Sequence, residues 1–389
     1  MSISPSPELA VRNRYASAAH APEAALCCPI EYDPRWLKAI PAEVIERDYG
    51  CGDPSRWLQP GDTVLDLGSG TGKICFIAAQ VVGASGRVIG IDMTDDMLGV
   101  ARRAAPQVAE AIGYANVEFR KGRIQDLALD LERLDRALAE TPLAGAEGYL
   151  AAERMVERLR AEHPLVVDDS VDAVVSNCVL NLVAAAEKPR LFREIFRVLR
   201  DGGRAVISDI VSDEPVPAHL QADPQLWSGC ISGALTEEEF VRAFEQAGFH
   251  GIELAKRDAQ PWRVVEGIEF RSVTVRAWKA APGPCFERNQ AVIYKGPFKT
   301  VLDDDGHALA RGVRTAVCDK TFRRYGGAAY AAHFERLEPA VPVPLAEAAP
   351  FDCERIDPRD PREMKAAGAG PTTSRAQPDA CRAPHGACC

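Results

Sequence analysis

Apolar and polar positions follow two periods along most of this chain, and the switches between them mark its elements. Val64–Leu67 is an apolar run interrupted only by Asp66, and it leads straight into Gly68, Gly70 and Gly72. Behind those glycines, residues 74–82 carry helix-compatible apolar spacing, so the segment reads as strand, tight turn, helix. The alternation repeats: residues 87–92 form a second strand ending in Asp92, and Asp95–Leu98 opens a helix with acids in its first turn, as the helix dipole favours. Strands are predicted at Val117–Lys121, Val171–Ser176 and Ala205–Ser208, with an amphipathic helix through Leu191–Leu199 stopped by Gly202 and Gly203. A helix near Glu237–Ala247 and strands at Gly251–Arg257 and Phe270–Trp278 finish a seven-stranded sheet with an antiparallel hairpin at one edge. Strand–helix alternation of this kind predicts a doubly wound α/β fold.

The pattern changes in three places. Residues 1–60 read as a helical cap, with Cys27 and Cys28 in a loop. Between Ile124 and Pro164, Leu127, Leu131, Leu134 and Leu138 recur at helical spacing, and Tyr149–Arg160 repeats the habit, which predicts an inserted helical pair over a sheet edge. After Pro282–Pro284 come short β-like runs, Gln290–Tyr294 and Phe298–Leu302, then a turn at Asp303–Gly306; this gives a small β-rich unit over 282–325. The Ala- and Pro-rich stretch from 326 to 389 is expected to be a disordered tail.

Composition narrows the function. A chain of 389 residues that is 47% apolar can bury full cores, and its net charge of −10 with no Lys/Arg block argues against a nucleic-acid surface. No apolar stretch approaches the ~20 residues a membrane span needs, and the N-terminus lacks the pattern of a secretory signal, so a cytoplasmic enzyme is expected. Twelve cysteines then stand out. A reducing compartment disfavours a disulfide framework, and no C-x-x-C occurs.

The glycine turn fits neither the dinucleotide fingerprint nor a phosphate-binding Walker loop, because the third glycine is one residue early for the first and Leu67 and Ile74 stand at required positions of the second. A nucleotide-like cofactor still suits it: glycines let backbone approach a ligand, and Asp92 ends the next strand, where a carboxylate can accept ribose hydroxyls. Three cysteines fall at the same sheet edge: Cys75 in the first turn of the helix, Cys178 after the fourth strand, Cys230 after the fifth. Cys51, between Gly50 and Gly52, is expected to join from the cap. A thiol near a helix N-terminus favours thiolate, and soft thiolates select soft partners such as a trivalent metalloid.

The D-x-G-x-G-x-G pattern resembles the first motif of class I S-adenosylmethionine (SAM) methyltransferases. Together, LDLGSGTGKICF, GIDMT, VVSNCVLNLV, LWSGCISGAL and YGCG resemble the arsenite SAM methyltransferases over roughly residues 40–280. The resemblance implies a Rossmann-like sheet, SAM held by Asp66, Gly68, Ser69, Gly70, Gly72, Asp92, Met93, Ile124 and Asn177, and As(III), free or as a thiol conjugate, bound by Cys75, Cys178 and Cys230. It implies a redox role for Cys51 and a thiol reductant such as thioredoxin or glutathione. None of the seven histidines lies in these motifs, which suits transfer to an arsenic lone pair, where no proton must leave. Transfer to another small molecule, or thiol-based sequestration without catalysis, stays open on the residues alone. Cys381, Cys388 and Cys389 would be mobile thiols able to capture arsenite or carry electrons.

Overall fold

A computed structural model describes residues 7–21, 23, 30, 32–140, 144–280, 283–354 and 357–365. Cys27, Cys28, Cys381, Cys388 and Cys389 lie outside them. The chain divides into two units, 1–282 and 283–389.

The first unit is built on eight strands: β1 Thr63–Leu67, β2 Arg87–Asp92, β3 Val117–Lys121, β4 Val171–Asn177, β5 Leu199–Ser212, β6 His250–Arg257, β7 Arg263–Val265 and β8 Ile268–Trp278. Their order is β3-β2-β1-β4-β5-β8-β6, with β7 paired to β8. β1 to β5 run parallel and β8 lies antiparallel between β5 and β6, as the expected hairpin requires. Successive residues of a strand face opposite sides, so Val64, Val88 and Val175 enter one core while Leu65, Ile89 and Val174 enter the other. The helix Lys73–Val82 buries Ile74, Phe76, Ile77 and Val82, each worth about 1.5–3 kcal/mol when taken out of water. The chain leaves β1 for β2 on one side and β4 lies on the other, so the crevice between the ends of β1 and β4 is the switch point where open α/β sheets bind ligands.

Three expectations need correction in this unit. The amphipathic helix spans Lys188–Val198 and yields to β5 at Leu199, before Gly202 and Gly203. Its last carbonyls are taken by the loop ahead of β4: Asp169 N–H donates to Arg197 at 3.1 Å and Ser170 N–H to Val198 at 2.9 Å. In the insertion, the helices run Leu131–Glu140 and Gly145–Glu162, whereas Leu127 is drawn out of the helical run into the sheet core. The pair meets the β3 edge through Lys121 and Asp135, 3.2 Å apart. Cys75, finally, does not reach the ligand edge, as shown below.

In the second unit Ala291–Tyr294 is the centre of an antiparallel sheet with Arg314–Ala316 and Phe334–Leu337. Thr300–Leu302 and Ala308–Ala310 form a hairpin over the acidic turn, where Asp303 accepts the His307 N–H at 2.7 Å and meets His307 Nδ1 at 2.8 Å. Val292, Tyr294, Phe322, Tyr325 and Phe334 form its core. The expected start of a tail at 326 is therefore wrong: Phe334 is buried and its strand completes the sheet, because Ala- and Pro-rich flanks hid a four-residue strand, Phe334–Leu337, with charged residues at its centre. Among the described residues no helix is long and apolar enough to cross a membrane.

Candidate active site

The turn after β1 owes its shape to its glycines. Gly68, Gly70 and Gly72 have φ of 68°, 52° and 92°, a region that costs side-chain-bearing residues strain. A Cβ on Gly68 would lie 2.7 Å from Val179, whereas one on Gly70 would meet nothing within 4 Å, because that face opens on a cavity of about 240 Å³. Gly68, Ser69, Gly70, Asp92, Met93 and Ile124 line this cavity, as do Asn177 and Cys178. Gly72 is absent from its wall and packs on Phe119 instead. The Ser69 hydroxyl is buried with no hydrogen-bonding partner, which fits a polar ligand in the cradle.

Asp92 closes the end of β2. Its carboxylate accepts the Gly70 N–H at 2.9 Å and the Thr94 N–H at 2.8 Å. Burial pushes its pKa up against the lowering effect of those bonds. It thus fixes the glycine turn while facing the cavity. Asp66 is set deeper and is fully buried from the cavity side; burial raises its pKa to about 7, with Asp48 and Asp92 adding to the rise and the Cys75 thiol opposing it.

That thiol donates to Asp66 Oδ2 at 3.1 Å. Cys75 sits in the apolar core with Val64, Phe76 and Phe119, and burial and the Asp66 charge push its pKa well above the ordinary value. The expectation of a thiolate at a helix N-terminus fails because desolvation and a neighbouring acid outweigh the dipole. Cys75 belongs to a different side-chain cluster from Cys51, Cys178 and Cys230.

Cys51, Cys178 and Cys230 share one cluster with Ile210, Ile231 and Phe270. Asn177, at the end of β4, holds Cys51 there: its side-chain oxygen accepts the N–H groups of Cys51 and Gly52 at 2.8 and 2.9 Å. A Cβ on Gly50 would lie 2.0 Å from Asn177 and one on Gly52 would lie 2.5 Å from Ser208, so the glycines flanking Cys51 are needed for this approach. Cys178 and Cys230 both adopt left-handed backbone, φ 65° and 62°, which costs a residue with a Cβ of order 1–3 kcal/mol. The Cys230 thiol donates to the Cys178 carbonyl at 3.1 Å.

Supporting residues that the sequence patterns did not single out surround this pair. Lys188 is buried and donates to the carbonyls of Leu180 at 3.1 Å and Gly233 at 2.7 Å, bridging the loops that carry the two cysteines. Burial lowers its pKa to about 8 while Asp209 opposes the fall, and burial raises Asp209 to about 6. Asn181 donates to Ile210 at 2.6 Å and to Cys230 at 3.2 Å. Tyr15, from the helix Pro7–Ala18, lines the cavity, and its hydroxyl is held neutral by burial and then by Cys230 and Cys178. An Asn-Cys at a strand end was visible; a lysine ten residues beyond that cysteine, opening a helix, carried no such sign.

The fold and the glycine cradle define a class I SAM-dependent methyltransferase, and a methyltransferase domain family matches residues 58–248. The chain is 33% identical to the arsenite methyltransferase of Aquipseudomonas alcaligenes over 79% of this chain and 84% of that protein, and 30% identical to the arsenite methyltransferase of Mus musculus over 73% and 69%. Among solved structures, the arsenic(III) S-adenosylmethionine methyltransferase of Chlamydomonas reinhardtii is 28% identical, covering 85% of this chain and 100% of that one with a TM-score of 0.51. The chain belongs to the arsenite methyltransferase family. Residues 281–369 match a domain of unknown function.

Proposed function

We infer that this chain methylates trivalent arsenic, with Cys178 and Cys230 carrying the metalloid and Cys51 as the third thiol. One observation carries this assignment: Cys178 belongs both to the wall of the cavity that holds the glycine cradle and to the three-cysteine cluster. SAM, when bound against Gly68–Gly70 and Asp92, supplies a methyl group on its sulfonium. Arsenic held by sulfur keeps a lone pair to accept that methyl, so the protein need only orient the two and exclude water. Ile210, Leu226 and Trp262 pack around the thiols and serve the second task. Among the described residues no histidine lines the cavity, in keeping with a transfer that removes no proton.

Accepting a methyl cation oxidises arsenic from the trivalent to the pentavalent state. Oxidation of two thiols to a disulfide returns the two electrons, and Cys51, which shares a side-chain cluster with Cys178 and Cys230, is the candidate to join that pair. A thiol reductant such as thioredoxin or glutathione would then reopen the disulfide, which suits a reducing, cytoplasmic setting. The reading is tested by incubating the protein with SAM, a thiol and arsenite: S-adenosylhomocysteine should form in step with methylated arsenic. S-adenosylhomocysteine formed at the same rate without arsenite would overturn it.

A further inference from the structure

Cys285, Cys318 and Cys353 come from three separate segments of the second unit, and their sulfurs all lie within 4.8 Å of one another. Two short strands set the first and last side by side: Phe286–Glu287 pairs with Ala349–Pro350, and Phe351 N–H donates to the Cys285 carbonyl at 2.9 Å. Cys318 comes in from below, where its sulfur accepts the Thr321 N–H at 3.4 Å and lies 3.3 Å from the Thr321 hydroxyl. Arg288, which follows the first strand, pairs with Asp319 at 2.6 Å and holds the Cys318 segment against it. All three thiols are free, Cys318 buried and the other two half-buried, so the trio has a buried end and a solvent side.

Protonation differs across the trio. Burial raises the Cys318 thiol, but its bonds to Thr321 and the two neighbouring thiols outweigh that and lower it. Cys353 is raised by burial and by Cys285 and Cys318.

We propose that Cys285, Cys318 and Cys353 form a second site for trivalent arsenic, separate from the thiols of methyl transfer. The choice of arsenic rests on the reading that arsenite is the substrate; the geometry limits the alternatives. A structural zinc takes four tetrahedral donors, and among the described residues no fourth cysteine, histidine or carboxylate joins this trio. Trivalent arsenic forms three bonds in a pyramid and leaves its lone pair on the fourth side. Loading is a condensation: three As–S bonds replace three As–O bonds, the three thiol protons leave with the three hydroxides as water, and no oxidant or reductant is consumed. The second unit would then retain arsenite without the methyl-transfer thiols.

The test uses the full, reduced chain equilibrated with arsenite, freed of excess by gel filtration and analysed for arsenic per chain. Cys285→Ser, Cys318→Ser and Cys353→Ser should each lose the same one arsenic, while methylation at saturating arsenite stays within twofold of the parent. Cys318 is buried, so circular dichroism accompanies that variant, and the half-buried Cys285 and Cys353 keep the test decisive if it unfolds. Unchanged arsenic content in Cys285→Ser and Cys353→Ser overturns the proposal. So does zinc chloride, used alone, binding to the trio and resisting displacement by arsenite. Methylation is read on the same samples: a parent chain that retains the arsenic but never methylates it refutes the proposed activity and leaves this site standing.

Discussion

Asn177 joins the segments that carry Cys51 and Cys178: its side chain accepts from Cys51 and Gly52 and returns a bond to the Gly52 carbonyl at 2.8 Å, across more than a hundred residues of sequence. Both partners are buried, so truncation strands two N–H groups, while the Gly52 carbonyl keeps the Tyr32 hydroxyl at 3.2 Å. Asn177→Ala should lower stability by about 1–3 kcal/mol and reduce arsenite methylation at least tenfold by releasing Cys51. Urea melts and arsenic speciation check the two halves. Full activity with a lowered melt would mean that Cys51 needs no such anchor.

Asp92 couples the turn to the cofactor. In Asp92→Ala the Gly70 N–H loses its partner and the carboxylate facing the cavity is gone, so SAM affinity should fall by about 1.5–3 kcal/mol, read by calorimetry. Unchanged affinity would show that the ligand does not use this end of β2.

Asp66 should report on pH. Its pKa is raised from 3.8 to about 7 in the folded protein, so the native state binds its proton over a range where the unfolded chain has lost it. Stability from this group is therefore greatest at low pH and falls as pH rises from about 4 to about 7. Asp66→Asn does not titrate, so its stability relative to the parent should improve over that interval by roughly 2–4 kcal/mol and then level off. Urea melts at several pH values give the curve; a constant gap would contradict the shift.

The sheet was legible because its strands are buried on both faces and bounded by glycine or acids, and Cys178 directly after β4 could be placed from a strand end, whereas Cys230 lies beyond the short helix Pro224–Ser228 that follows β5. Cys75 was misplaced for a physical reason. The residue three past Gly72 points back onto β1 and β2, where its sulfur meets Asp66 and where a Cβ on Gly90 would lie 2.8 Å from it. A linear pattern gives the turn but not that direction. Lys188 and Asp209 were missed because a buried charge in a helix and another in a strand look like any surface pair until their loops fold over them. The trio of Cys285, Cys318 and Cys353 was invisible for the same reason: three solitary cysteines acquire meaning only when Phe286–Glu287 pairs with Ala349–Pro350.

The most direct test sets Cys178 against Cys75 in one assay, with arsenic species measured after incubation with SAM, arsenite and a thiol. Cys178→Ser should abolish methylated arsenic while SAM still binds, because a hydroxyl is a poor partner for a soft metalloid. Cys75→Ala should methylate arsenite within a few fold of the parent, since its thiol is committed to Asp66 inside the core. Loss of methylation in Cys75→Ala with the fold intact, or full methylation in Cys178→Ser, would contradict the assignment of the arsenic-binding thiols.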